Sequence, residues 1–423
     1  MTADEPARLV ADTFRREAGA AVATVARLTG DLGRAEDAVQ EAFAIALDRW
    51  PVAGVPDRPG AWITTTARNR ALDVLRREAS RPDREEAATR AAVSRLETTP
   101  PILHPMVDDQ LQLVFTCCHP ALPRDAHVEL TLRLVCGLTV AEIARALLRS
   151  PDAVGKRIQR AKAKVRDSAI ALRLPPPDLL DERLASVLDC LYLTFTEGYA
   201  ATAGDDLIRR ELCDEAIRLA RLVADLLPDR PGPEALLALL LLQDSRRDAR
   251  LDAAGEVVLL PDQDRAAWDR SRIEEGMQRL ARAAAHPEVS AAEASYLYQA
   301  AIAGEHAGAP SWDQTDWPAI VLLYDRLVEL SASPIVGLNR AVAVLHADGP
   351  AIALMVLDEL ASDVRLARSH RLPVVRAEVL TRLGDVAGAR AAYRDALDRG
   401  PTAPEARFIR RQIDALDQEE STA

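Results

Sequence analysis

Seven basic side chains crowd the stretch from Arg149 to Arg166, against a single carboxylate, Asp152. Within it Val154, Ile158, Ala161 and Val165 recur at i, i+4, i+7 and i+11, close together on a helical wheel, and must form a buried face. The opposite face presents Asp152, Lys156, Gln159, Arg160 and Arg166, with Arg157, Lys162 and Lys164 on its flanks. Lys, Arg and Gln on one helix face can reach base edges in a major groove while flanking cations meet phosphates. A basic helix alone is as readily a solvated face, so its surroundings decide. Thr139 and Glu142 stand at capping-box spacing ahead of an apolar stripe of Ile143, Ala144 and Leu147. Ser150 then suits an N-cap and Pro151 the first helical position, where its missing N–H costs nothing. A capped helix, a short turn and a restarted basic helix make a helix-turn-helix.

A second constellation lies near residue 40. From Asp37 to Trp50 the sequence is amphipathic: Val39, Phe43, Ala46 and Trp50 fall on one face, Asp37, Glu41, Ala44 and Asp48 on the other, with Gln40 beside them. Such a polar stripe on a rigid helix can dock a basic partner helix. Pro51 to Pro59 follows, with three prolines and one glycine, and reads as a loop. Beyond it Trp62, Ile63, Ala67 and Leu72 supply packing, and Arg68, Arg70, Arg76 and Arg77 offer charge for a phosphate backbone.

Other chemistry is not suggested. Cys117-Cys118-His119, with His127 and Cys136, resembles a metal set, yet structural zinc sites space their cysteines by about two to four residues, so a structural role at a helix end is expected. The sequence has no HExxH, GxGxxG, Walker loop or Ser nucleophile elbow. Glu197-Gly198-Tyr199 and Asp205-Asp206 read as loop and cap carboxylates. No catalytic residue, metal or cofactor is expected. Five cysteines in 423 residues, odd in number and lacking a CxxC, read as reduced core side chains.

The elements that must position these residues are helices. Apolar residues are mostly Ala, Leu and Val, aromatics make up 4%, and no period-two run bounded by hairpin turns is evident, so the expected fold class is all-α. Formal charge is -12, but residues 1 to 174 carry 26 Lys+Arg against 23 Asp+Glu, and residues 175 to 423 carry 27 against 42. A mildly basic front half thus precedes an acidic back half. All three lysines fall between 156 and 164, among 50 arginines. The longest apolar run, Ala235 to Leu242, falls far short of the ~20 residues a bilayer demands, and Met1-Thr2-Ala3-Asp4-Glu5 is not a basic-then-apolar leader, so a cytoplasmic protein without a membrane partner is expected. Arg81 to Pro105 and Leu174 to Asp178, with the triplet Pro175-Pro176-Pro177, break the helical pattern and read as linkers. Sliding the tail over itself by 36 residues sets Ala341, Ala353, Leu357 and Leu360 on Ala377, Ala389, Tyr393 and Ala396, the offsets of a tetratricopeptide-like repeat. An irregular Ala-rich bundle is the other reading of that segment.

In this order and spacing AEDAVQEAF, then W-I-x-x-x-A-R-N-x-x-x-D-x-x-R-R, then the helix-turn-helix resemble a bacterial sigma factor of the sigma-70 family, of the small extracytoplasmic-function type. FTCCHPALP, FTEGYAATAGDDLIRRELCDEAIRLAR and LLPDQDRAAWDR are similar to the subgroup with a long tetratricopeptide-like extension. The resemblance implies domain two over 8–80, a linker over 81–105 lying along polymerase channels, domain four over 106–173 and a regulatory helical domain over 179–420. It implies that Asp37, Gln40, Glu41, Ala44 and Asp48 dock on the clamp helices of core RNA polymerase, with Phe43 as core, and that the flap is a further polymerase contact. Trp62, Arg68, Asn69, Asp73, Arg76 and Arg77 would read and open the minus-ten element, and Ser150, Asp152, Lys156, Arg157, Gln159, Arg160, Lys162 and Lys164 the minus-thirty-five element. Promoter DNA and a regulatory protein or ligand at the C-terminal domain are the remaining implied partners. The acidic tail would either cover the basic face of domain four or contact polymerase. Gly155 within the reading helix and Thr196, where the subgroup has Asn, depart from the family pattern. The competing function is a helix-turn-helix regulator with a helical sensor and no polymerase contact, which leaves Asp37 to Arg77 unexplained.

Overall fold

The computed structural model describes residues 4–79, 108–147, 149–200, 208–252, 256–331 and 333–422, so the segment expected to link the first two parts lies outside the described residues. Among the described residues there are eighteen α-helices, and the one β-type pairing is an isolated bridge between Leu251 and Val257. None of these helices is long and apolar enough to cross a membrane. Two compact units divide at Leu227 and Pro228.

The first unit opens with α1 (Asp4–Thr29), α2 (Leu32–Ala53) and α3 (Pro59–Ala79), packed pairwise. Asp31 caps α2 by accepting from the amides of Gly33 at 2.8 Å and Arg34 at 3.1 Å. The expected loop from Pro51 starts later. One missing N–H in a last turn costs little, so α2 runs on to Ala53 and stops where Gly54 adopts φ +83°.

A second group follows: α4 (Asp109–Cys117), α5 (Arg124–Leu134), α6 (Val140–Ala146) and α7 (Pro151–Asp167). Thr139 and Glu142 form the full capping box of α6, and Ser150 caps α7 ahead of Pro151. Val154, Ile158, Ala161 and Val165 are all buried. A methyl added at Gly155 would meet only Val140, at 3.8 Å, so packing within the chain does not demand the glycine.

The proline triplet is a helix start rather than a linker. Pro177 takes the first position of α8 (Pro177–Tyr199), where proline is favoured, and α9 (Arg210–Leu226) returns along it. Both belong to the first unit, so the tail expected from residue 179 gives its first two helices to the body that holds the helix-turn-helix. Thr196, on α8, donates its hydroxyl to the Tyr192 carbonyl at 2.8 Å, within its own helix.

The second unit contains α10 (Pro231–Asp244), α11 (Arg270–Ala284), α12 (Ala291–Gly308), α13 (Trp317–Leu330), α14 (Pro334–Ala347), α15 (Pro350–Leu360), α16 (Arg371–Arg382), α17 (Val386–Asp398) and α18 (Ala403–Thr422). Ala235 to Leu242 are at most 2% exposed, so the long apolar run is a core helix gripped by α11 and α12. At the 36-residue offset Ala341, Ala353 and Leu357 are buried and Leu360 is half-buried, whereas Ala377, Ala389, Tyr393 and Ala396 are all buried.

Two histidines lie in an aromatic cluster of this unit. His306 stacks on Trp312 at 6.1 Å, and His346 on Trp317 at 4.3 Å. Burial pushes both imidazoles down to about 4, aided by Arg246, Arg265 and His346 around His306 and by Arg382 beside His346. Each ring binds its proton more readily when the chain is unfolded. The stability they contribute is therefore full above about pH 6.5 and is lost as pH falls toward about 4. From about pH 7 to about pH 5 roughly 1 kcal/mol per ring, allowing for partial exposure, should go, lowering the melting midpoint of this unit by roughly 4–8 °C. Replacing both by Gln should flatten that dependence in calorimetry.

Candidate polymerase and promoter interface

Helix α2 separates its faces cleanly. Ala38, Val39, Ala42, Phe43, Ala46 and Trp50 are buried, whereas Asp37, Gln40, Glu41, Ala44 and Asp48 are all exposed. Phe43 is a core residue, meeting Phe14 edge-on at 4.9 Å. Glu41 pairs with Arg70 of α3 at 3.3 Å, tying the polar stripe to the neighbouring helix.

On α3, Ile63, Ala67, Ala71, Leu72 and Leu75 are buried. Trp62 is half-buried, edge-on to Trp50 at 5.6 Å, so the indole expected at DNA also anchors the start of the helix. Asn69, Asp73, Arg76 and Arg77 are exposed and Arg68 is half-buried. This basic helix lies in the same bundle as the acidic stripe of α2.

The candidate readers on α7 fall into two sets. Asp152, Lys156, Gln159, Arg160 and Lys164 are exposed, with Lys156 and Asp152 paired at 2.8 Å. Ser150 spends its hydroxyl on the Ala153 amide at 3.3 Å. Arg157 and Lys162, by contrast, turn inward. Arg157 donates Nε and Nη2 to Glu129 at 2.9 and 2.7 Å, and Arg149 reaches the same carboxylate at 3.1 Å. Glu129 is fully buried in α5, a carboxylate held by two guanidiniums. Lys162 pairs with Glu36 of α2, which also accepts from Arg133 Nε at 2.6 Å. Glu36, Glu129 and Arg133 were not anticipated. Glu36 nevertheless lies at i−3 and i−7 from Val39 and Phe43, a carboxylate in a core phase, which was the readable signal.

Cys118, Cys136 and Cys190 lie between the helix-turn-helix group and α8, and Cys213 of α9 packs on α8 at the Phe195 carbonyl. Cys118 and Cys190 sulfurs are 3.7 Å apart, and Cys136 Sγ is 3.4 Å from Thr194 Oγ1. Burial raises the Cys117 and Cys118 thiols and pushes Cys136 up to about 12, so these groups stay protonated and act as packing. His127 points Nε2 at the carbonyls of His119 and Leu122, at 3.2 and 3.1 Å. Among the described residues no group of three His, Cys, Asp or Glu side chains is placed to hold a metal.

An acidic-striped helix beside a basic helix, followed by a helix-turn-helix in the same body, defines a two-module DNA-binding initiation factor. Residues 13–81 match the family model "Sigma-70 region 2", residues 112–165 match "Sigma-70, region 4", and residues 183–284 match a family of unknown function, DUF6596. An uncharacterized protein of Rhizobium meliloti (strain 1021) is 42% identical over 411 residues, 95% of this chain and 94% of the relative. A probable ECF RNA polymerase sigma factor, SigI, of Mycobacterium tuberculosis is 28% identical over 152 residues, 36% of this chain and 52% of its own. A probable RNA polymerase sigma factor, RfaY, of Xanthomonas campestris pv. campestris is 31% identical over 143 residues, 34% of this chain and 36% of its own. No solved structure matches. The chain belongs to the extracytoplasmic-function type of the sigma-70 family, with a C-terminal extension. It is an RNA polymerase sigma factor, and its sigma domains imply binding to core polymerase and promoter DNA.

Proposed function

We propose that α8 and α9 support domain four in its DNA-reading form, and that the rest of the extension regulates when the factor acts. The observation that carries this reading is the bonding between the extension and domain four. Arg183 Nη1 donates to the Phe115 carbonyl at 3.3 Å, and Arg209 meets Glu142, the capping-box carboxylate of α6, at 3.1 Å. Arg218 pairs with Asp108, the N-cap of α4, and donates to Gln110 at 2.7 Å. Cys190 and Thr194 pack on Cys118 and Cys136. Domain two is read over 8–80 and domain four over 106–173 with α8 and α9 as its support; of the extension over 179–420 the remainder is regulatory, with α12 to α17 read as tetratricopeptide-like pairs that take a regulatory protein or ligand. The factor acts in the cytoplasm, and the bond-forming chemistry is the polymerase's own.

The test is truncation. A chain ending at Leu227 should remain folded and bind core, so any change in its transcription reports regulation by residues 228–423. A chain ending at Pro176 should lose domain four, because Cys118 and Cys136, buried against Cys190 and Thr194 in the intact protein, would be uncovered. Equal promoter activity from both chains would sink the reading.

Asp37, Gln40, Glu41, Ala44 and Asp48 are read as the core-docking face, and Trp62, Arg68, Asn69, Asp73, Arg76 and Arg77 as the minus-ten surface. On α7, Lys156, Gln159, Arg160 and Lys164 carry the minus-thirty-five contacts, with Ser150 and Asp152 setting the helix start. Arg160→Ala should reduce the slope of log affinity against log salt by about 0.9, the loss of one phosphate contact. Arg157→Ala should leave that slope unchanged and lower the stability of domain four.

A further inference from the structure

Outside α7, every Lys or Arg position of this chain is arginine. The three lysines, Lys156, Lys162 and Lys164, all lie on that helix, beside Arg157, Arg160 and Arg166. The two side chains are alike in charge and unlike in chemistry. A deprotonated primary amine is a nucleophile that accepts an acyl group, whereas a guanidinium stays charged and unreactive. Packing accounts for one lysine. Lys162 is 11% exposed at its side chain and meets one oxygen of Glu36 while Arg133 holds the other, so a compact ammonium suits the space. Packing accounts for neither of the others, since the Lys156 side chain is 70% exposed and Lys164 is exposed.

Lys156, Arg160 and Lys164 stand at i, i+4 and i+8, one line along the exposed face of α7. Lys156 is drawn to Asp152 at 2.8 Å. Arg160 rests Nε on the Lys156 carbonyl at 3.3 Å and pairs with no carboxylate among the described residues, which leaves the fork of its guanidinium for an anion. Lys164, one turn beyond, has no carboxylate partner among them either: Asp167, the acid nearest to it in sequence, pairs with Arg166 at 3.0 Å. An amine and an anion-ready guanidinium are therefore neighbours on the surface proposed to read DNA.

We propose that Lys164 is an acyl-acceptor site: Arg160 holds the phosphate of a small acyl phosphate, the acyl group passes to Lys164 Nζ, and the modified helix loses its hold on a DNA phosphate. In this step the lone pair of the deprotonated amine forms a C–N bond to the acyl carbon and the C–O bond to phosphate breaks. The phosphate leaves with that electron pair and takes up the amine's proton. A neutral amide replaces a cation, and no oxidant or reductant is needed. Lys164 is favoured over Lys156, whose ammonium Asp152 engages, and over Lys162, which is buried. The acceptor rests on the geometry of α7, whereas its effect on DNA rests on the proposed minus-thirty-five reading.

The test uses full-length protein, with acetyl phosphate as the probe and the uncharged N-hydroxysuccinimide ester of acetate as its control. Each lysine is followed by mass spectrometry. Acetyl phosphate should modify Lys164 at least about tenfold faster than Lys162. Arg160→Ala should slow Lys164 towards acetyl phosphate by at least about threefold relative to the ester, the contribution of one exposed ion pair. Protein acetylated at Lys164, and Lys164→Gln, should both bind duplex DNA with a slope of log affinity against log salt reduced by about 0.9. Lys164→Arg should keep the wild-type slope through the same pulse. Equal rates at Lys164 and Lys162, or an Arg160→Ala effect that is the same with both reagents, would overturn the acceptor site. A slope lowered by Arg160→Ala but not by Lys164→Gln would overturn its control of DNA binding. Slopes unchanged in both variants would instead remove the proposed minus-thirty-five reading, while the reagent rates still decide the acceptor.

Discussion

Reversing two charges on α2, Asp37→Arg with Glu41→Arg, is expected to weaken capture of sigma-free core polymerase by at least about 100-fold. Both side chains are exposed on one face, and the sequence resemblance implies a clamp coiled coil as the partner. Like charges set against each other across an interface cost several kcal/mol, and about 1.4 kcal/mol is a factor of ten. The substitution at 41 also faces Arg70, the present partner of Glu41 at 3.3 Å, with a second cation. Both positions lie outside the apolar face of α2, so the fold should survive. Equilibrium titration of the full-length protein measures the effect, with Glu329→Arg, on an exposed face of α13, as the control for charge alone. Tight binding by the double variant would remove this face from the core contact.

Glu129→Ala is expected to destabilise domain four by about 3–5 kcal/mol, the cost of removing one member of a buried ionic cluster. The carboxylate holds Arg157 through two donors and Arg149 through a third. Arg149 keeps Asp125 at 3.0 Å, but Arg157 is left with no anion in reach among the contacts it makes here. Denaturant titration of the full chain should show an early transition absent from the wild type, and Glu129→Gln should fall between the two. Duplex binding by α7 should fail at the temperature of that transition, while core capture through domain two persists. An unchanged denaturation profile would show that the cluster contributes nothing net to domain four.

Much of this was legible in the sequence because local rules are strong here. Thr139 with Glu142 and Ser150 with Pro151 mark the helix starts, and the spacing of Val154, Ile158, Ala161 and Val165 sets the face of α7 by helical periodicity alone. The same applies to the polar stripe of α2. Periodicity gives a residue's phase but not its partner. Arg157 and Lys162 sit on the flanks of the basic face, and the carboxylates that draw them inward are 28 and 126 residues away in the chain. The proline triplet misled for a related reason: proline stops a helix that precedes it and favours one that follows, and only the packing of α8 on Cys118 and Cys136, with Arg183 bonded to the Phe115 carbonyl, selects the second.

The bonding of α8 and α9 to domain four has a consequence for exchanging parts between initiation factors. A chimaera that carries this chain's promoter preference on another factor's chassis cannot be cut at the end of the helix-turn-helix. The transplantable cassette should run from Asp108 to Leu227, because the bonds that α8 and α9 make to α4 and to the Glu142 cap of α6 are encoded after the reading helix.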